Sequence, residues 1–502
     1  MALLLTASCA WAQSTIRLRA RTIQPERGAA VFPPPAGADG GARRTHYILQ
    51  FSSYPSPELR QELARRGVRA LSYVPDSGLM VSSDSTADLQ GLGAVWAGPL
   101  EARDKLNPLL ATRPAPAYLV VFHPDVEMEE ARALARERGF SVLENSSLLP
   151  GHLVVTGGAT RLEELAASDE VSYILPASTD LAAGKPVTGC AGALTDAGIV
   201  GEYATVGNGW AKGASGAVAL QYVFESLTSK VDQNTARSEI ERAFRTWASN
   251  ANVSFAAGGD ASSARTIAIL FASGAHGDGY PFDGPGGVLA HTFYPAPPNS
   301  EPLAGDMHFD GDESWRVGAD TDLFSVALHE AGHALGLGHS GDPGSVMYPY
   351  YHFASGLTPD DIAGIQSLYG PSVAAPADPP ASTPGQPASP TPSTPQTPST
   401  PQTPSTPAGG KDTTPPSLSI VSPGSTIVST SSQTISISGT ASDNVGVTTV
   451  TWSTSTGSSG AASGTANWSA QAPLLVGTNV VTIRAYDAAG NSAWRSITVV
   501  RR

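Results

Sequence analysis

The stretch Leu328–His339, with the sequence LHEAGHALGLGH, decides how the middle of this 502-residue chain folds. His329 and His333 are four residues apart, so on a helix they lie on one face with Glu330 beside them. Two glycines then allow the chain to turn back and deliver His339 as a third imidazole. Three neutral imidazole nitrogens fill three tetrahedral positions of Zn²⁺ and leave the fourth for water, whose pKa falls to about 7. The pattern therefore predicts a catalytic zinc helix with Glu330 as general base.

A methionine, Met347, follows eight residues after the third histidine, in the sequence Val346-Met347-Tyr348-Pro349. The extended zinc signature followed by this Met resembles the metzincin peptidases and their Met-turn. The resemblance implies that Met347 packs under the zinc ligands as structural support. It also implies that Tyr348 and Pro349 form the wall of the pocket for the residue after the scissile bond.

A second set of potential zinc ligands lies upstream in the sequence HGDGYPFDGPGGVLAH and the later GDMHFDGDE. Three imidazoles and one carboxylate complete a closed tetrahedron, which suits a structural zinc without a water position. The ligands of this set are His276, Asp278, His291 and His308. Together with the zinc helix and the last helical stretch, from 357 to 370, these motifs occur in the order found in matrixins. The region 215–371 therefore resembles a matrixin catalytic domain, in which the same four positions hold a structural zinc.

Candidate oxygen ligands for calcium lie among the residues of this second set in the sequence. Asp283 and the backbone carbonyls of a glycine-rich loop can surround an ion on one side, and two carboxylates can close it on the other. The loop carbonyls belong to Gly284, Gly286 and Val288, and the closing carboxylates are Asp310 and Glu313. The matrixin resemblance places a structural calcium ion here. A second calcium site stays open, because Asp306 matches one ligand of that site but Thr266 replaces another.

Three further residues take roles from the matrixin resemblance. Cys190 lies upstream of the catalytic region, where a matrixin propeptide carries a Cys whose thiolate occupies the open zinc position. Its surroundings, Thr188-Gly189-Cys190-Ala191-Gly192, lack the Arg, Pro and Asp of the family pattern, and an inert buried thiol is the alternative. Asp360 and Asp361 match a pair that receives the freed N-terminus and supports the Met-turn. Both carboxylates could instead cap the last helix.

Composition and charge point to an exported protein. The net charge of −14, without a Lys/Arg cluster, argues against a nucleic-acid partner. Residues 1–12 resemble a signal peptide, although a lipoprotein attached at Cys9 is an alternative. The sequence contains no apolar run of membrane-spanning length. We therefore expect a secreted, extracellular monomer without a membrane span.

The remaining chain divides by composition into a series of segments. Residues 13–44 predict a flexible lead-in, and 45–178 contain two similar strand–helix–strand units that predict a duplicated, ferredoxin-like α+β fold. This region resembles the small inhibitory propeptides of secreted peptidases, which implies a pro-region; a free-standing binding domain is the alternative. Residues 179–214 connect this region to the catalytic domain. A Pro/Thr/Ser linker, 372–413, precedes an immunoglobulin-like β-sandwich at 414–502. Trp452, Trp468 and Trp494 of this module are either core residues or a platform for polysaccharide or surface contact.

The predicted fold class is thus α+β, with a twisted mixed sheet and a zinc helix in the catalytic domain, a ferredoxin-like pro-region before it and a β-sandwich after it. The predicted function is that of a secreted, zinc- and calcium-dependent endopeptidase made as a latent precursor and acting on protein or peptide substrates. One alternative is a peptidase of another metzincin branch. Another is an extracellular adhesin with a vestigial peptidase domain.

Overall fold

The computed structural model describes residues 15–24, 44–84, 87–203, 209–372, 416–424, 427–454, 459–474, 477–488 and 492–501. The chain divides into two compact units, one ending at residue 372 and the other following it. The predicted signal peptide and nearly all of the predicted linker lie outside the described residues. Within the described ranges, no helix combines the length and the apolar character needed to cross a membrane.

Part of the predicted flexible lead-in is ordered, which corrects that expectation for residues 15–24. Here β1 (Ile16–Arg17) and β2 (Thr22–Ile23) form a two-stranded antiparallel sheet. Ile16 and Leu18 are buried in a hydrophobic cluster that also contains residues of both pro-region units. The polar composition of residues 13–44 as a whole gave no indication that Ile16 and Leu18 are buried.

The first pro-region unit consists of one helix and four strands. Helix α1 starts after the N-cap Ser56, whose side chain accepts a hydrogen bond from Leu59 N–H. The strands are antiparallel to their neighbours in the order β4-β5-β3-β6. The elements are β3 (Thr45–Phe51), α1 (Pro57–Arg65), β4 (Arg69–Val74), β5 (Gly78–Ser83) and β6 (Ala94–Gly98).

The second pro-region unit repeats this strand order with two helices. Its sheet, β10-β7-β9-β8, is antiparallel throughout and separate from that of the first unit. Both units therefore place their first strand between their third and fourth, as expected for a duplication. The elements are β7 (Tyr118–Phe122), α2 (Met128–Glu137), β8 (Ser141–Leu143), β9 (His152–Thr156), α3 (Leu162–Ala166) and β10 (Val171–Pro176), and short 3₁₀ helices lie at 102–105, 108–111 and 159–161.

The segment between the pro-region and the catalytic region joins their sheets. It contains α4 (Thr179–Ala182), β11 (Gly189–Thr195) and β12 (Gly198–Val200). Strand β12 pairs in parallel with β4 of the first unit, and β11 pairs antiparallel with β12. The predicted connecting segment is thus part of a continuous sheet.

The catalytic region adds five strands to this sheet. Its parallel strands run in the order β14-β13-β15-β17, and β16 lies antiparallel to β17 and parallel to β11, which gives an 11-stranded mixed sheet. The elements are β13 (Val218–Phe224), α5 (Gln233–Ala248), β14 (Val253–Ala257), β15 (Thr266–Ala272), β16 (Val288–Phe293), β17 (Met307–Asp310), β18 (Trp315–Arg316), β19 (Thr321–Asp322), α6 (Leu323–Ala334) and α7 (Pro359–Tyr369).

Helix α6 is the predicted zinc helix and lies at the centre of this region. Asp322 caps it, because its side chain accepts hydrogen bonds from Ser325 N–H at 2.9 Å. All twelve residues of α6 are buried, as is typical of a helix enclosed by other elements. Helix α5 packs beside it, and Trp247 of α5 donates a hydrogen bond through Nε1 to Leu328 O at 2.8 Å. The zinc-binding side chains therefore start from a rigid element.

The C-terminal unit contains a three-stranded and a five-stranded sheet, whose buried residues form one hydrophobic cluster. Trp468 is 2% exposed in this cluster and is therefore a core residue, whereas Trp452 is half-buried and packs against the cluster. The side chain of Trp494 lies outside the described residues. The strands are β20 (Ser417–Ser422), β21 (Ile427–Thr430), β22 (Thr434–Ser442), β23 (Val447–Thr454), β24 (Ser459–Ala461), β25 (Asn467–Pro473), β26 (Gly477–Asp487) and β27 (Ser492–Arg501).

Candidate metal centre and cleft

The two histidines of helix α6 face each other through their Nε2 atoms. Nδ1 of His329 lies 2.6 Å from Val346 O, and Nδ1 of His333 lies 2.8 Å from Leu337 O. A carbonyl oxygen can only accept, so each Nδ1 carries the proton and each Nε2 of the neutral ring is a bare lone pair. Burial lowers the pKa of His329 to about 3 and also lowers the pKa of His333, which keeps both rings neutral.

These two Nε2 atoms are only 3.0 Å apart. Two lone pairs cannot form a hydrogen bond with each other, but both can bind a cation that lies beside them. The donor set therefore fits zinc, which imidazole nitrogens bind in this neutral form.

The third predicted ligand, His339, is oriented differently. Its Nδ1 lies 2.7 Å from Oε1 of Glu202, and its buried Nε2 has no hydrogen-bond partner among the described residues. Burial raises the pKa of Glu202, but the charge and hydrogen bond of His339 outweigh burial and lower it. Glu202 is thus a carboxylate that accepts from Nδ1–H and leaves Nε2 available to a metal.

Cys190 completes a four-residue cluster with these three histidines. One potential ligand atom from each residue lies within 4.8 Å of the others, and all four residues are buried. Burial and the nearby charge of Glu330 raise the pKa of the Cys190 thiol. The structure thus brings together all three predicted zinc histidines and the predicted latency cysteine.

The predicted general base, Glu330, lies at this cluster. Burial raises the pKa of Glu330 to about 7, although hydrogen bonds with Thr292 and Cys190 partly oppose the shift. Its Oε2 accepts a hydrogen bond from the Thr292 hydroxyl at 2.7 Å. A carboxyl group with a pKa near neutrality can both accept and return a proton.

Strand β11 places Cys190 between two segments of the catalytic region. On one side β11 pairs with β16, and on the other Cys190 N–H donates to Pro349 O at 3.1 Å. Cys190 itself lines a small cavity, together with residues that include Leu289, His329 and both predicted wall residues, Tyr348 and Pro349. Strand β11 therefore lies next to the metal cluster.

The pro-region also contacts the wall of this cavity directly. Tyr348 donates its hydroxyl proton to Pro176 O at 3.0 Å and accepts from Ser178 N–H at 3.2 Å. The Tyr350 hydroxyl lies 2.9 Å from Nδ1 of His152 and accepts from Leu149 N–H at 3.1 Å. The second pro-region unit thus holds the wall residues in place.

The upstream set of four predicted ligands forms the second metal cluster found among the described residues. Oδ2 of Asp278 lies 2.8 Å from His276 Nε2, 2.7 Å from His291 Nε2 and 2.8 Å from His308 Nδ1. Burial raises the pKa of Asp278, but its hydrogen bonds with the three imidazoles outweigh burial and lower it strongly. Three nitrogens and one carboxylate, all close together, fit a closed zinc site.

Two of the predicted calcium-binding carboxylates contact the glycine-rich loop. Glu313 Oε1 accepts from Gly286 N–H at 2.6 Å, and Asp283 Oδ1 accepts from Val288 N–H at 3.0 Å, which draws the Gly284–Val288 loop around the carboxylates. Burial, together with the charges of Asp312, Glu313 and Asp283, raises the pKa of Asp310. Mutual repulsion of carboxylates is what a bound cation relieves. At the second candidate site, Asp306 Oδ1 accepts from Ala268 N–H at 2.8 Å.

The paired aspartates before the last helix have different surroundings. Asp361 is 2% exposed and accepts from Val346 N–H at 3.1 Å and Met347 N–H at 3.2 Å, as well as from Thr358 at the start of α7. Exposed Asp360 accepts from the Ser340 hydroxyl at 2.6 Å. Asp361 therefore both supports the Met-turn and caps the helix, so the two interpretations of this residue do not exclude each other.

Two residues at the metal centre were missed from the sequence. Glu202 lies in a Gly/Ala-rich segment, and Arg19 lies in the predicted flexible lead-in. Arg19 Nε donates to Glu202 O at 2.7 Å, and its Nη2 donates to His339 O. Neither residue belongs to a local motif, since their partners are distant in sequence.

Comparison with known proteins agrees with this geometry. Residues 210–370 match the model of the matrixin family. This part of the chain is a matrixin domain. Residues 17–101, which include the first pro-region unit, match the model of a domain of unknown function, DUF8729.

Relatives of the matrixin domain occur in animals. The hatching enzyme of Paracentrotus lividus is 48% identical over 159 residues, which cover 30% of this chain and 25% of that protein. Human matrix metalloproteinase-16 is 40% identical over 183 residues, or 34% of this chain and 29% of the relative. Human matrix metalloproteinase-20 is 44% identical over 159 residues, or 30% and 31%. The chain thus spans less than a third of the length of these relatives.

Proposed function

We propose that this chain is a secreted zinc endopeptidase that is made as a latent precursor and hydrolyses peptide bonds of extracellular proteins. The observation that carries the proposal is the pair of bare Nε2 atoms of His329 and His333, 3.0 Å apart, with a third imidazole and a thiol beside them. The similarity of the matrixin domain to metalloproteinases supports the same activity.

The chemistry assigns separate tasks to the residues of the cleft. His329, His333 and His339 would hold zinc, which as a Lewis acid polarises the substrate carbonyl and activates water. Glu330 takes a proton from the attacking water and delivers it to the leaving amine. Thr292 orients the Glu330 carboxyl through the hydrogen bond to Oε2. Tyr348 and Pro349 form the wall of the pocket that receives a substrate side chain.

Latency rests on Cys190 and on the strand that carries it. The Cys190 thiol would be the fourth ligand, because it reaches the three histidines and its backbone is fixed on both sides of the cleft. A metal-coordinated thiol is deprotonated despite burial. In this form β11 excludes a substrate from the cleft, so activity requires removal of the pro-region.

We further propose the supporting roles that the remaining regions suggest. The two pro-region units are ferredoxin-like and form an inhibitory domain, because the second unit holds the pocket wall and the first continues the catalytic sheet. Asp283, Asp310, Glu313 and the Gly284–Val288 loop bind a structural calcium ion. The C-terminal unit is an immunoglobulin-like sandwich.

Digestion of casein by the purified protein tests the activity. We expect hydrolysis only after the pro-region is cleaved, loss of hydrolysis with a zinc chelator, and recovery with added zinc. Glu330→Gln should abolish hydrolysis while the protein keeps its zinc content. A Glu330→Gln protein with full activity would overturn the mechanism.

The uncleaved chain with Cys190→Ala tests latency separately. We expect this variant to hydrolyse a small peptide before any cleavage, or to become active at a lower protease dose than wild type. Ala191→Ser, on the same strand, is the matched control and should stay latent. If the Cys190→Ala and wild-type precursors stay equally inactive and activate at the same dose, the thiol is not the latency ligand.

A further inference from the structure

Each of the three zinc histidines needs a partner at Nδ1, and the origin of these partners differs. His329 and His333 use the carbonyls of Val346 and Leu337, which belong to the matrixin domain itself. His339 uses the side chain of Glu202. Glu202 lies in the connecting segment between the pro-region units and the matrixin domain, residues 179–214, which we call the pro-segment. One ligand of the catalytic site therefore depends on a group outside the domain that carries the chemistry.

We propose that Glu202 is a positioning residue for the catalytic metal, supplied by the pro-segment, so that the precursor binds zinc at this site more tightly than the matrixin domain does without it. This inference rests on the proposed zinc peptidase function. It adds metal retention to the role of the pro-region, beyond blocking the cleft through Cys190.

The surroundings of Glu202 hold its carboxylate in position. On the N-terminal side, Gly201 N–H donates to Tyr73 O at 3.0 Å, next to strand β4. On the C-terminal side, the fully buried Tyr203 shares a hydrogen bond with the Ser72 hydroxyl at 3.0 Å. Both anchors lead into the first pro-region unit, so the position of Glu202 is set by a folded domain.

Arg19, in the hairpin formed by β1 and β2, also contacts the segment around Glu202. Its backbone N–H donates to Tyr203 O at 3.0 Å, and its guanidinium donates to both Glu202 O and His339 O. One side chain thus ties the pro-segment to the loop that carries the third zinc ligand.

A carboxylate on the outer nitrogen of a zinc histidine has a well-defined effect. It fixes the tautomer and the ring orientation and makes the inner nitrogen more basic, and its loss typically reduces metal affinity about 10–100-fold. The inner nitrogen of His339 is buried and has no other partner among the described residues. The contact therefore directs His339 Nε2 to the metal and not to a competing donor.

Cobalt binding to the full-length, uncleaved precursor tests the proposal. Cobalt(II) replaces zinc, and the thiolate-to-cobalt absorption from Cys190 reports the catalytic site without interference from the thiol-free upstream cluster. Competition with zinc and with a chelator gives the affinity. We expect Glu202→Ala to weaken binding at least about tenfold. Glu202→Gln should recover part of this loss, because its amide oxygen still accepts from Nδ1–H.

Asp104→Asn is the matched control. Asp104 is a fully buried pro-region carboxylate that pairs with Arg21 and has no contact with the metal cluster, so we expect wild-type affinity. Equal affinity of Glu202→Ala and wild type would overturn the proposal, as would equal losses in all three variants. Bound cobalt without a thiolate band in wild type would refute the latency role of Cys190 alone. The affinity of the Glu202 variants would then be measured from the visible absorption of bound cobalt in chains that also carry Asp278→Asn, which removes a ligand of the upstream cluster.

Discussion

Replacement of Asp361 should separate the support of the Met-turn from simple helix capping. The carboxylate is buried and accepts from three backbone N–H groups, those of Val346, Met347 and Thr358, and from the hydroxyls of Ser345 and Thr358. Val346 also offers its carbonyl to Nδ1 of the zinc ligand His329. Replacing Asp361 therefore affects the zinc ligand His329 through Val346, which contacts both residues.

The expected loss in free energy of unfolding depends on which hydrogen-bond donors each substitution leaves without a partner. In Asp361→Asn the amide oxygen can keep Val346 and Thr358 N–H, and Met347 N–H retains the Ser345 hydroxyl at 3.2 Å. The main loss is the charge of the acceptor, worth about 2 kcal/mol. Asp361→Ala leaves two backbone donors unpaired, at roughly 1–3 kcal/mol each, so we expect a loss of about 4 kcal/mol.

Urea unfolding of the full-length chain, followed by tryptophan fluorescence, measures these losses. Asp360→Ala is the matched control, because the neighbouring carboxylate is exposed and accepts only the Ser340 hydroxyl among the described contacts. We expect about 0.5 kcal/mol or less for the control. Bound zinc should fall in Asp361→Ala but not in the control. If Asp361→Ala costs no more than Asp360→Ala, the Met-turn does not depend on this carboxylate.

Three further predictions concern other charged sites. Burial lowers the pKa of His46, but hydrogen bonds to Asp125 and Asp169 outweigh it and raise the pKa from 6.5 to about 9. The proton-linked stabilisation is therefore about 3 kcal/mol below pH 6.5 and is lost as the pH rises through about 9, so the stability difference between wild type and His46→Gln should shrink by about that amount. A pH-independent difference in urea unfolding would refute this. Asp278→Asn should lower the zinc content by one ion per chain, measured by elemental analysis. Added calcium should raise the melting temperature of wild type, and Glu313→Gln should reduce that increase.

The helices of the matrixin domain could be predicted because their signals are local. The helix expected at 357–370 spans Pro359–Tyr369. In α5 the buried residues Ile240, Phe244 and Trp247 recur at helical spacing, which marks one face of the helix without reference to any partner. The zinc histidines are predictable for the same reason, since the helix and the following turn place all three within twelve residues.

The joining of the sheets could not be predicted from the sequence. Strand β12 has only three residues, Gly198–Val200, and its partner Arg69–Val74 lies more than a hundred residues away. Alternating patterns identify a strand but do not specify its neighbour. The roles of Glu202 and Arg19 depend on this pairing, so they were outside the reach of motif analysis.

The glycines around Cys190 are the one local signal for its position. A Cβ on Gly189 would lie 2.8 Å from Pro349 O, and Gly192 has a φ of 99°, a conformation that other residues rarely adopt. Glycine at these positions therefore lets β11 approach the Met-turn segment closely and then turn beside His339. The sequence Gly-Cys-Ala-Gly carries no charged residue, and the charged groups Arg19 and Glu202 contact the segment that carries His339 instead. The close packing of β11 therefore holds the Cys190 thiol in place without a local ion pair. Gly189→Ala would push β11 away from Pro349 and should weaken latency even though Cys190 is unchanged.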